Sequence, residues 1–544
     1  MPISKRRNTM KRLIAGLLAL MLVLSLTACD LNVLLEKFTG ETLSPGTDPS
    51  TIKPTETQPA DTRPVEPETP AVVHLEVLTA NQYICEWMDN YFLASVAWDS
   101  LTLDAESAKA YPALAKALTD YCEEDADWAE EMLQDMLPGA REQVKYMGDE
   151  FYGYSYETQC SIQRADSLIL SARFNYDAYT GGARPYFGTT VLNLDSETGK
   201  PVALSQVVTD WRQLAPLVVK ALEEKYPDIY EETFDDINRI LRDYSEEAYT
   251  WTLGYQGITF YFGASEIAPT AAGALEATIW FDQYPDLFVE EYTQIPAGGY
   301  AIYVPEYSWL TVDLNPGDDI RDQIYVSTDS EGNLCVGKNE AFVTDDDYFA
   351  YFSDAYLVTP DNRNFYLYVD SSAENDYSTF RVYDMNMNTP RCIAMLDATG
   401  YAGLWDENYV LGPNWFTRVF NDPSHFLLAG HLDVLGTMSG TRAFHINPAT
   451  GLPVADQDYY DLPQDREPLV AKMAIKVKRL PGETDMEIPE GTHLWFLRSD
   501  GRHYVDMRLP DGTECRIYVT YRDWQGYING IPEDECFEGI MYAG

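Results

Sequence analysis

Positive charge is scarce in this chain. Its 544 residues carry 38 Lys and Arg against 87 Asp and Glu, a formal charge of −49. A surface this anionic repels phosphate backbones and acidic lipid headgroups alike. The composition therefore argues strongly against nucleic-acid binding, and we expect no nucleic-acid partner.

Signatures of common enzymes are also missing. The sequence has no GxSxG, no HExxH and no glycine-rich phosphate loop. It has no CxxC pair and no His/Cys ligand spacing, so we predict no zinc or other metal site and no cofactor. Carboxylates are too numerous for a glycosidase-like pair to be singled out, and we assign no catalytic residue.

Histidines are few, and three of the six, His425, His431 and His445, fall within one stretch. The segment around them, from Phe426 to Leu432, has the pattern of a strand. Their spacings match no metalloenzyme signature. We interpret them as core or turn residues.

A short apolar segment begins the chain. Five Lys and Arg residues precede an apolar run from Leu13 to Leu26, which ends in Leu-Thr-Ala-Cys at Cys29. This is the pattern of a secretory signal with a lipobox, and the run is short for a bilayer span of about 20 residues. We predict a signal peptide over residues 1–29 and a diacylglycerol on Cys29. Its removal takes the formal charge from −49 to −54.

Proline and threonine dominate residues 44–71, which hold almost nothing apolar. Such a stretch cannot bury a core and is typical of an extended tether. We therefore predict a tether over residues 30–73. With Cys29 lipidated, the protein is expected on the outer face of a bacterial cytoplasmic membrane.

The chain as a whole is 45% hydrophobic, and its length and composition predict folded cores and roughly two to four domains. Pro112 with Leu114 and Leu118 predicts a helix start, and a second helical stretch follows from 125 to 136. Alternation predicts strands at 168–176, 189–195, 251–253, 258–262 and 275–281, and an apolar stripe predicts a helix over 214–222. The pattern indicates an α+β fold, an antiparallel sheet with packed helices.

Motifs within this part carry a family resemblance. They are Ser-Leu-Ile-Leu-Ser from Ser167, Tyr-Thr-Gly-Gly-Ala-Arg-Pro from Tyr179, Asn-Leu-Asp from Asn193 and Gly-Ile-Thr-Phe-Tyr-Phe from Gly257. In this order they resemble the extracellular domain of the RsiV family of lysozyme-sensing anti-sigma factors, a domain also found beside some peptidoglycan deacetylases. The resemblance covers about residues 75–300, and we place this domain at 74–310. The chain lacks the family's sigma-binding segment and transmembrane helix, so anti-sigma activity is not implied.

The resemblance implies a binding site and a partner. The partner is a basic, lysozyme-like protein or cell-wall peptidoglycan, and the residues it points to are Tyr179, Gly181, Gly182 and Arg184. The family usually has His where this chain has Arg184. A structural reading stands beside the functional one: adjacent glycines suit a turn between strands, and Arg184 suits an ion pair.

Residues 311–475 are β-rich with frequent turns, and we predict a sandwich or propeller-like blades. The acidic segment Asp313–Asp319 partly resembles a calcium loop and otherwise suits a solvated turn. Residues 476–544 resemble a small SH3-like β-barrel, with hairpin turns at Asp500-Gly501 and Asp511-Gly512. Barrels of this kind bind cell-wall glycopeptide or serve as caps without a ligand.

Cysteines leave an open question about redox state. With Cys29 lipidated, seven remain, so at least one has no intramolecular partner. Cys515 and Cys536 lie close in sequence and can form a disulfide, whereas a reducing habitat leaves them as thiols.

These features predict a surface lipoprotein with a non-catalytic binding or sensing role. Two alternatives stay open: a cell-wall hydrolase with an unrecognised carboxylate site, and a structural envelope spacer.

Overall fold

A computed structural model describes residues 71–182, 185–229, 231–315, 320–349, 352–372, 378–396, 398–406, 409–464, 466–522 and 525–542. Residues 69–544 form one compact unit. The signal peptide, Cys29 and the tether up to residue 70 lie outside the described residues, as does Arg184. Within the described part, no helix is long and apolar enough to cross a membrane.

The first part of the unit contains groups of strands separated by groups of helices. The helices are α1 (Ala105–Ala110), α2 (Pro112–Met147), α3 (Leu204–Val207), α4 (Leu214–Lys225) and α5 (Glu231–Arg242). The strands are β1 (Val77–Met88), β2 (Tyr91–Leu103), β3 (Tyr154–Ala165), β4 (Ile169–Tyr179), β5 (Tyr186–Asp195), β6 (Thr250–Leu253), β7 (Gly257–Phe262) and β8 (Leu275–Trp280).

The rest is almost entirely strands. The central ones are β9 (Tyr300–Val304), β10 (Trp309–Val312), β11 (Asp322–Thr328), β12 (Asn333–Lys338), β13 (Ala341–Phe349), β14 (Phe352–Thr359), β15 (Tyr366–Ser372), β16 (Ser378–Asp384), β17 (Arg391–Leu396), β18 (Gly400–Tyr401), β19 (Gly403–Asp406) and β20 (Asn414–Arg418). The last ones are β21 (Phe426–Asp433), β22 (Thr437–Ile446), β23 (Pro453–Ala455), β24 (Tyr460–Asp461), β25 (Leu469–Ala471), β26 (Ile475–Leu480), β27 (Thr484–Ile488), β28 (His493–Ser499), β29 (Tyr504–Arg508), β30 (Glu514–Tyr518), β31 (Thr520–Arg522), β32 (Gln525–Ile528), β33 (Ile531–Pro532) and β34 (Phe537–Glu538), with helix α6 (Glu533–Cys536) before β34.

Sheet A has the strand order β19-β20-β1-β2-β3-β4-β5. Helix α2 packs on it, burying Leu114 and Leu118 in one cluster and Leu133 and Val144 in a second. The two helical stretches expected at 112–118 and 125–136 are thus one helix, with Pro112 in its first turn as predicted. Its apolar positions keep one helical face through the acidic stretch between them.

Sheet B (β6-β7-β8) is antiparallel and lies against α4 and α5. The stripe that predicted a helix at 214–222 is confirmed, since Leu214, Val218 and Leu222 are buried in this core. Helices grouped against sheets A and B agree with the coarse α+β expectation for this part, although the chain as a whole is a mixed, sheet-rich fold. Sheet A departs from the expected antiparallel arrangement at one pair, since β2 and β3 are parallel.

A buried ion pair joins sheet A to the segment before β9. Arg164 at the end of β3 is fully buried, and its Nε donates to Asp166 Oδ2 at 2.7 Å. Its two terminal nitrogens donate to the carbonyls of Tyr292 and Gln294 at 2.6 and 2.9 Å. Asp166 in turn accepts the backbone N–H of Leu168 at 2.9 Å. We call Arg164, Asp166 and these backbone partners the clamp, and both of its charges are compensated.

Two further sheets pack face to face. Sheet C (β10-β11-β12-β13) contributes Ile324 and Val336 to a core that it shares with Leu357 and Val369 of sheet D (β17-β16-β15-β14-β9). Strands β9 to β17 thus form a sandwich, one of the two arrangements expected for residues 311–475, whereas β19 and β20 of the same range belong to sheet A. Its hydrogen bonds cross the expected boundary at residue 310, because β9 pairs with β14. Likewise β20 pairs with β1 of sheet A.

The C-terminal strands correct the expectation of a separate small barrel. They belong to sheet E, with the order β18-β21-β22-β24-β28-β29-β30-β26-β27, and the described residues form no closed barrel. Strand β24 makes the link, since Thr441 of β22 pairs with Asp461 and Asp461 pairs with Arg498 of β28. Cys515 and Cys536 are free thiols in this arrangement, so no disulfide joins them.

Candidate functional site

One face of sheet A is left uncovered beside the motifs picked out in the sequence. The strand register places Tyr83, Ala97, Glu157, Asp177 and Phe187 in one row across β1 to β5. Because side chains alternate along a strand, helix α2 packs on the opposite side, against residues such as Val96 and Tyr154. We call the exposed surface formed by Tyr83, Glu157, Asp177, Tyr179 and Phe187 the open face.

Two carboxylates occupy the middle of the open face. Glu157 and Asp177 are direct cross-strand partners, and both are exposed. Among the described residues neither carboxylate forms a salt bridge; Glu157 Oε1 accepts a hydrogen bond from Gln159 Nε2 at 3.2 Å. Like charges directly opposite each other destabilise a sheet. The arrangement leaves two negative charges available to a cation from outside.

Aromatic side chains border these carboxylates. Phe187 is 55% exposed and Tyr83 is 57% exposed, one at each end of the row. Tyr179, 36% exposed, lies at the end of β4 with its ring centroid 6.3 Å from that of Tyr154. Contiguous exposed apolar groups mark interaction surfaces, and Phe187 is the direct cross-strand neighbour of Asp177. The open face thus combines apolar anchors with an acidic centre.

Three of the predicted site residues, Tyr179, Gly181 and Gly182, lie at the β4–β5 turn or directly before it, and Arg184 lies outside the described residues. Gly181 and Gly182 have φ angles of +93° and +109°, which confirms their turn role. A Cβ on Gly181 would lie 3.0 Å from the hydroxyl of Tyr154, so a side chain there would also crowd that ring. Tyr179 is the last residue of β4 and directly precedes this turn. A binding role for Tyr179, Gly181, Gly182 and Arg184 stays a prediction.

A half-buried pair of carboxylates was not predicted from the sequence. Asp354 and Asp370 are cross-strand partners on β14 and β15. Burial raises the pKa of each to about 7, and for Asp370 the neighbouring Asp354 adds to this effect. The backbone N–H of Tyr401 binds Asp370 and offsets part of the rise in pKa. No local motif distinguishes these two among the 87 acidic residues of the chain.

None of the three neighbouring histidines is a core residue: His425 and His431 are exposed and His445 is half-buried. Of the expected core or turn positions, only the turn applies, at His425 in the bend before β21. His445 Nδ1 lies 2.6 Å from Asp456 Oδ1, and His425 Nδ1 lies 3.9 Å from Asp456 Oδ2. His431 lies on β21 with Asp433 as its neighbour at 3.3 Å. The described residues contain no group of three or more His, Cys, Asp or Glu side chains placed to hold a metal ion.

The segment considered for calcium is only partly described. Asp313 is buried, and its Oδ2 lies 3.1 Å from Arg321 Nη1. Its Oδ1 accepts the backbone N–H of Asn315 at 2.9 Å. Residues 316–319 lie outside the described residues. In this structure the Asp313 carboxylate is therefore engaged by protein groups.

Helix α4, β8 and β11 enclose a cavity of about 300 Å³. Lys220, Lys225 and Arg321 contribute to its wall. Each faces an acid: Lys220 lies 3.7 Å from Glu224, Lys225 2.7 Å from Glu276 and Arg321 2.7 Å from Asp282. The cavity wall is therefore electrostatically balanced and has no surplus of positive charge to attract an anion.

Helix α4 and β8, which form part of this cavity wall, belong to the part of the chain that matches a known family. Residues 209–282 match the family described as "Protein of unknown function (DUF3298)". The chain contains a DUF3298 domain. Its residues span α4, α5 and sheet B, the elements whose side chains form the largest part of one common core.

Two solved structures of DUF3298 family proteins are similar to this chain. One, from Bacteroides fragilis NCTC 9343, is 20% identical with a TM-score of 0.33, covering 41% of this chain and 96% of that one. Another, from Pseudomonas aeruginosa PAO1, is 14% identical with a TM-score of 0.25, covering 41% and 97%. No curated protein matches the chain. The DUF3298 match does not extend to the RsiV-type family or to an SH3-like module.

Proposed function

We propose that this protein is a surface lipoprotein that binds a basic, lysozyme-like protein through the open face of sheet A. Anchoring through Cys29 and the tether would hold this face outside the cytoplasmic membrane. The observation that carries the proposal is the pair of exposed carboxylates, Glu157 and Asp177, bordered by Tyr83, Tyr179 and Phe187. Nothing in this role requires catalysis.

The physical argument has two parts. An anionic chain raises the local concentration of cationic proteins and speeds their encounter. Affinity then depends on anchors that leave water, and aromatic side chains serve this purpose at many interfaces. Phe187 and Tyr179 are such anchors, since their exposed area is buried only when a partner covers it. The resemblance of residues 75–300 to the RsiV family supports the same partner class.

The C-terminal segment is proposed to be SH3-like in strand order, as an open arrangement within sheet E. The first residues of β28 pair with β25 and its later residues pair with β29. Strand β25 also pairs with the final strand β34. The comparison is based on two features: β28 is shared between two small sheets, and the early strand β25 pairs with the last strand, β34. A cell-wall ligand for this segment rests on the resemblance alone.

The test is a binding measurement on the lipid-free mature chain from residue 30. Lysozyme is compared with the equally basic cytochrome c at low and at physiological salt. Exposed-charge attraction is largely screened once the Debye length falls to about 8 Å, whereas a complementary interface keeps much of its affinity. We expect selective, saturable binding of lysozyme that persists at physiological salt.

Variants connect this binding to the open face. Phe187→Ser should weaken binding about tenfold, the effect of removing an apolar anchor. Phe342→Ser is the matched control, because Phe342 is 50% exposed on β13 of a different sheet. Equal binding of both basic proteins that disappears with added salt, or equal losses in the two variants, would contradict the proposal.

A further inference from the structure

A second surface lies at the β19 edge of sheet A, where it meets sheet E. It is a groove of about 690 Å³ whose wall includes Leu404 and Trp415 from sheet A and Ser439 and Thr441 from sheet E. Trp415 is 57% exposed and Leu404 is 41% exposed. We call it the Trp415 groove. Its volume suits a ligand of a few rings.

The indole of Trp415 is held against the backbone of β19. A Cβ added to Gly403 would lie 2.2 Å from the indole atom Cζ2, so the ring occupies the space that a side chain would need. Glycine at this position therefore lets the indole pack directly on the strand. More than half of the Trp415 side chain still faces solvent. An aromatic surface fixed on one side and open on the other is a platform for a flat apolar ligand face.

Hydroxyl groups that the protein does not use surround this platform. Within the described residues, the side-chain hydroxyls of Thr399, Ser439 and Thr441 form no hydrogen bond to the protein, although all three residues line the groove. Each hydroxyl can both donate and accept. The groove thus offers several neutral hydrogen-bonding groups beside an aromatic surface.

Charge is almost missing from the same wall. Asp461 is its only charged residue among those described, and its Oδ2 accepts a hydrogen bond from Gln457 Nε2 at 3.1 Å. In a chain with a formal charge of −49 this is an unusually neutral surface. A basic protein partner has little to gain there, whereas an uncharged ligand rich in hydroxyl groups avoids the cost of burying charge.

From these observations we infer that the Trp415 groove binds a neutral oligosaccharide. A pyranose ring has an apolar face of C–H groups that can stack on the indole, while its hydroxyls reach Thr399, Ser439 and Thr441. This inference does not depend on the function proposed above.

The experiment is calorimetric titration of the mature chain with chitotetraose and with cellotetraose. We expect saturable binding of at least one, and a loss of about tenfold or more in affinity for Trp415→Ala. Trp87→Ala is the matched control, since Trp87 is 56% exposed and also belongs to sheet A. Gly403→Ala is the second variant; it keeps the indole but displaces it, and should also weaken binding.

Thermal unfolding of each variant shows whether it is folded. If neither oligosaccharide binds, or if Trp415→Ala binds as the wild type does, the inference is wrong. Lysozyme binding is measured in parallel and should be unchanged in Trp415→Ala. If the wild type binds no oligosaccharide and Trp415→Ala loses lysozyme binding, the groove binds a protein partner and the inference is overturned.

Discussion

The facing carboxylates of the open face allow a prediction in which stability and binding change in opposite directions. Directly opposed residues of an antiparallel pair have Cβ atoms about 4.5–5.5 Å apart. Two unit charges about 5 Å apart repel by about 0.8 kcal/mol in water, and physiological salt reduces this to about half. Asp177→Asn should therefore raise the free energy of unfolding by about 0.4–0.8 kcal/mol, with the larger value at low salt.

Binding should move the other way. The same substitution removes one of the two charges that face a cationic partner, so the association rate for lysozyme should fall, and the difference should shrink as salt is added. Urea unfolding and surface binding measure the two effects on the same protein. Asp228→Asn is the control: Asp228 is exposed in the segment after α4, outside the open face.

A double-mutant cycle makes the test sharper. Either Asp177→Asn or Glu157→Gln alone removes the whole repulsion, so the double variant should be no more stable than either single variant. Additive gains would show that the two carboxylates do not interact. A loss of stability greater than about 1 kcal/mol in Asp177→Asn would contradict the cross-strand argument itself.

Further outcomes follow from other parts of the molecule. Arg164→Met should lower the free energy of unfolding by about 3–5 kcal/mol in urea, because Asp166 is left as a buried charge without its partner; a change below about 1 kcal/mol would be inconsistent with the clamp. Burial raises the pKa of Asp354 to about 7, so the folded state holds this proton more tightly than the unfolded state does. The protonated carboxyl therefore contributes to stability at low pH, and this contribution is lost as the pH rises from about 4 to about 7. Unfolding curves at pH 5 and 8 should therefore show Asp354→Asn gaining stability relative to wild type at the higher pH; an equal difference at both would refute this. Cys29→Ala should abolish lipidation, leaving an unprocessed precursor or releasing protein into the medium, and wild-type fractionation would disprove the lipobox. Purified peptidoglycan and model glycosides should stay uncleaved with or without divalent metal, whereas any turnover would favour the hydrolase alternative.

Local patterns predicted many elements correctly. The stripe from Leu214 to Leu222 gave helix α4, and alternation gave β4 to β8 within a few residues. The turns Asp500-Gly501 and Asp511-Gly512 correctly indicated the hairpins β28–β29 and β29–β30. These succeed because a helix face or a hairpin is specified by residues close together in sequence. The glycines Gly181 and Gly182 were assigned to a turn for the same reason.

Long-range pairing was beyond such patterns. Strand β20 pairs with β1, which lies hundreds of residues earlier in the chain. Strand β24 links the C-terminal hairpins to β22 across tens of residues. The unpaired edge of a strand carries little sequence information about which other strand will cover it. The expectation of a separate C-terminal barrel failed at this point.

For this protein, the sequence by itself determined the acidic character, the lipobox pattern, helix α4, strands β4 to β8 and the local turns. Tertiary structure alone decided which charges face each other. Glu157 meets Asp177, and Asp354 meets Asp370, only because strand register brings them together. Among 87 acidic residues, composition cannot distinguish a solvated carboxylate from one held opposite another, since the difference lies in distance and burial. The same holds for Trp415, whose platform exists because the fold places Gly403 beneath its ring.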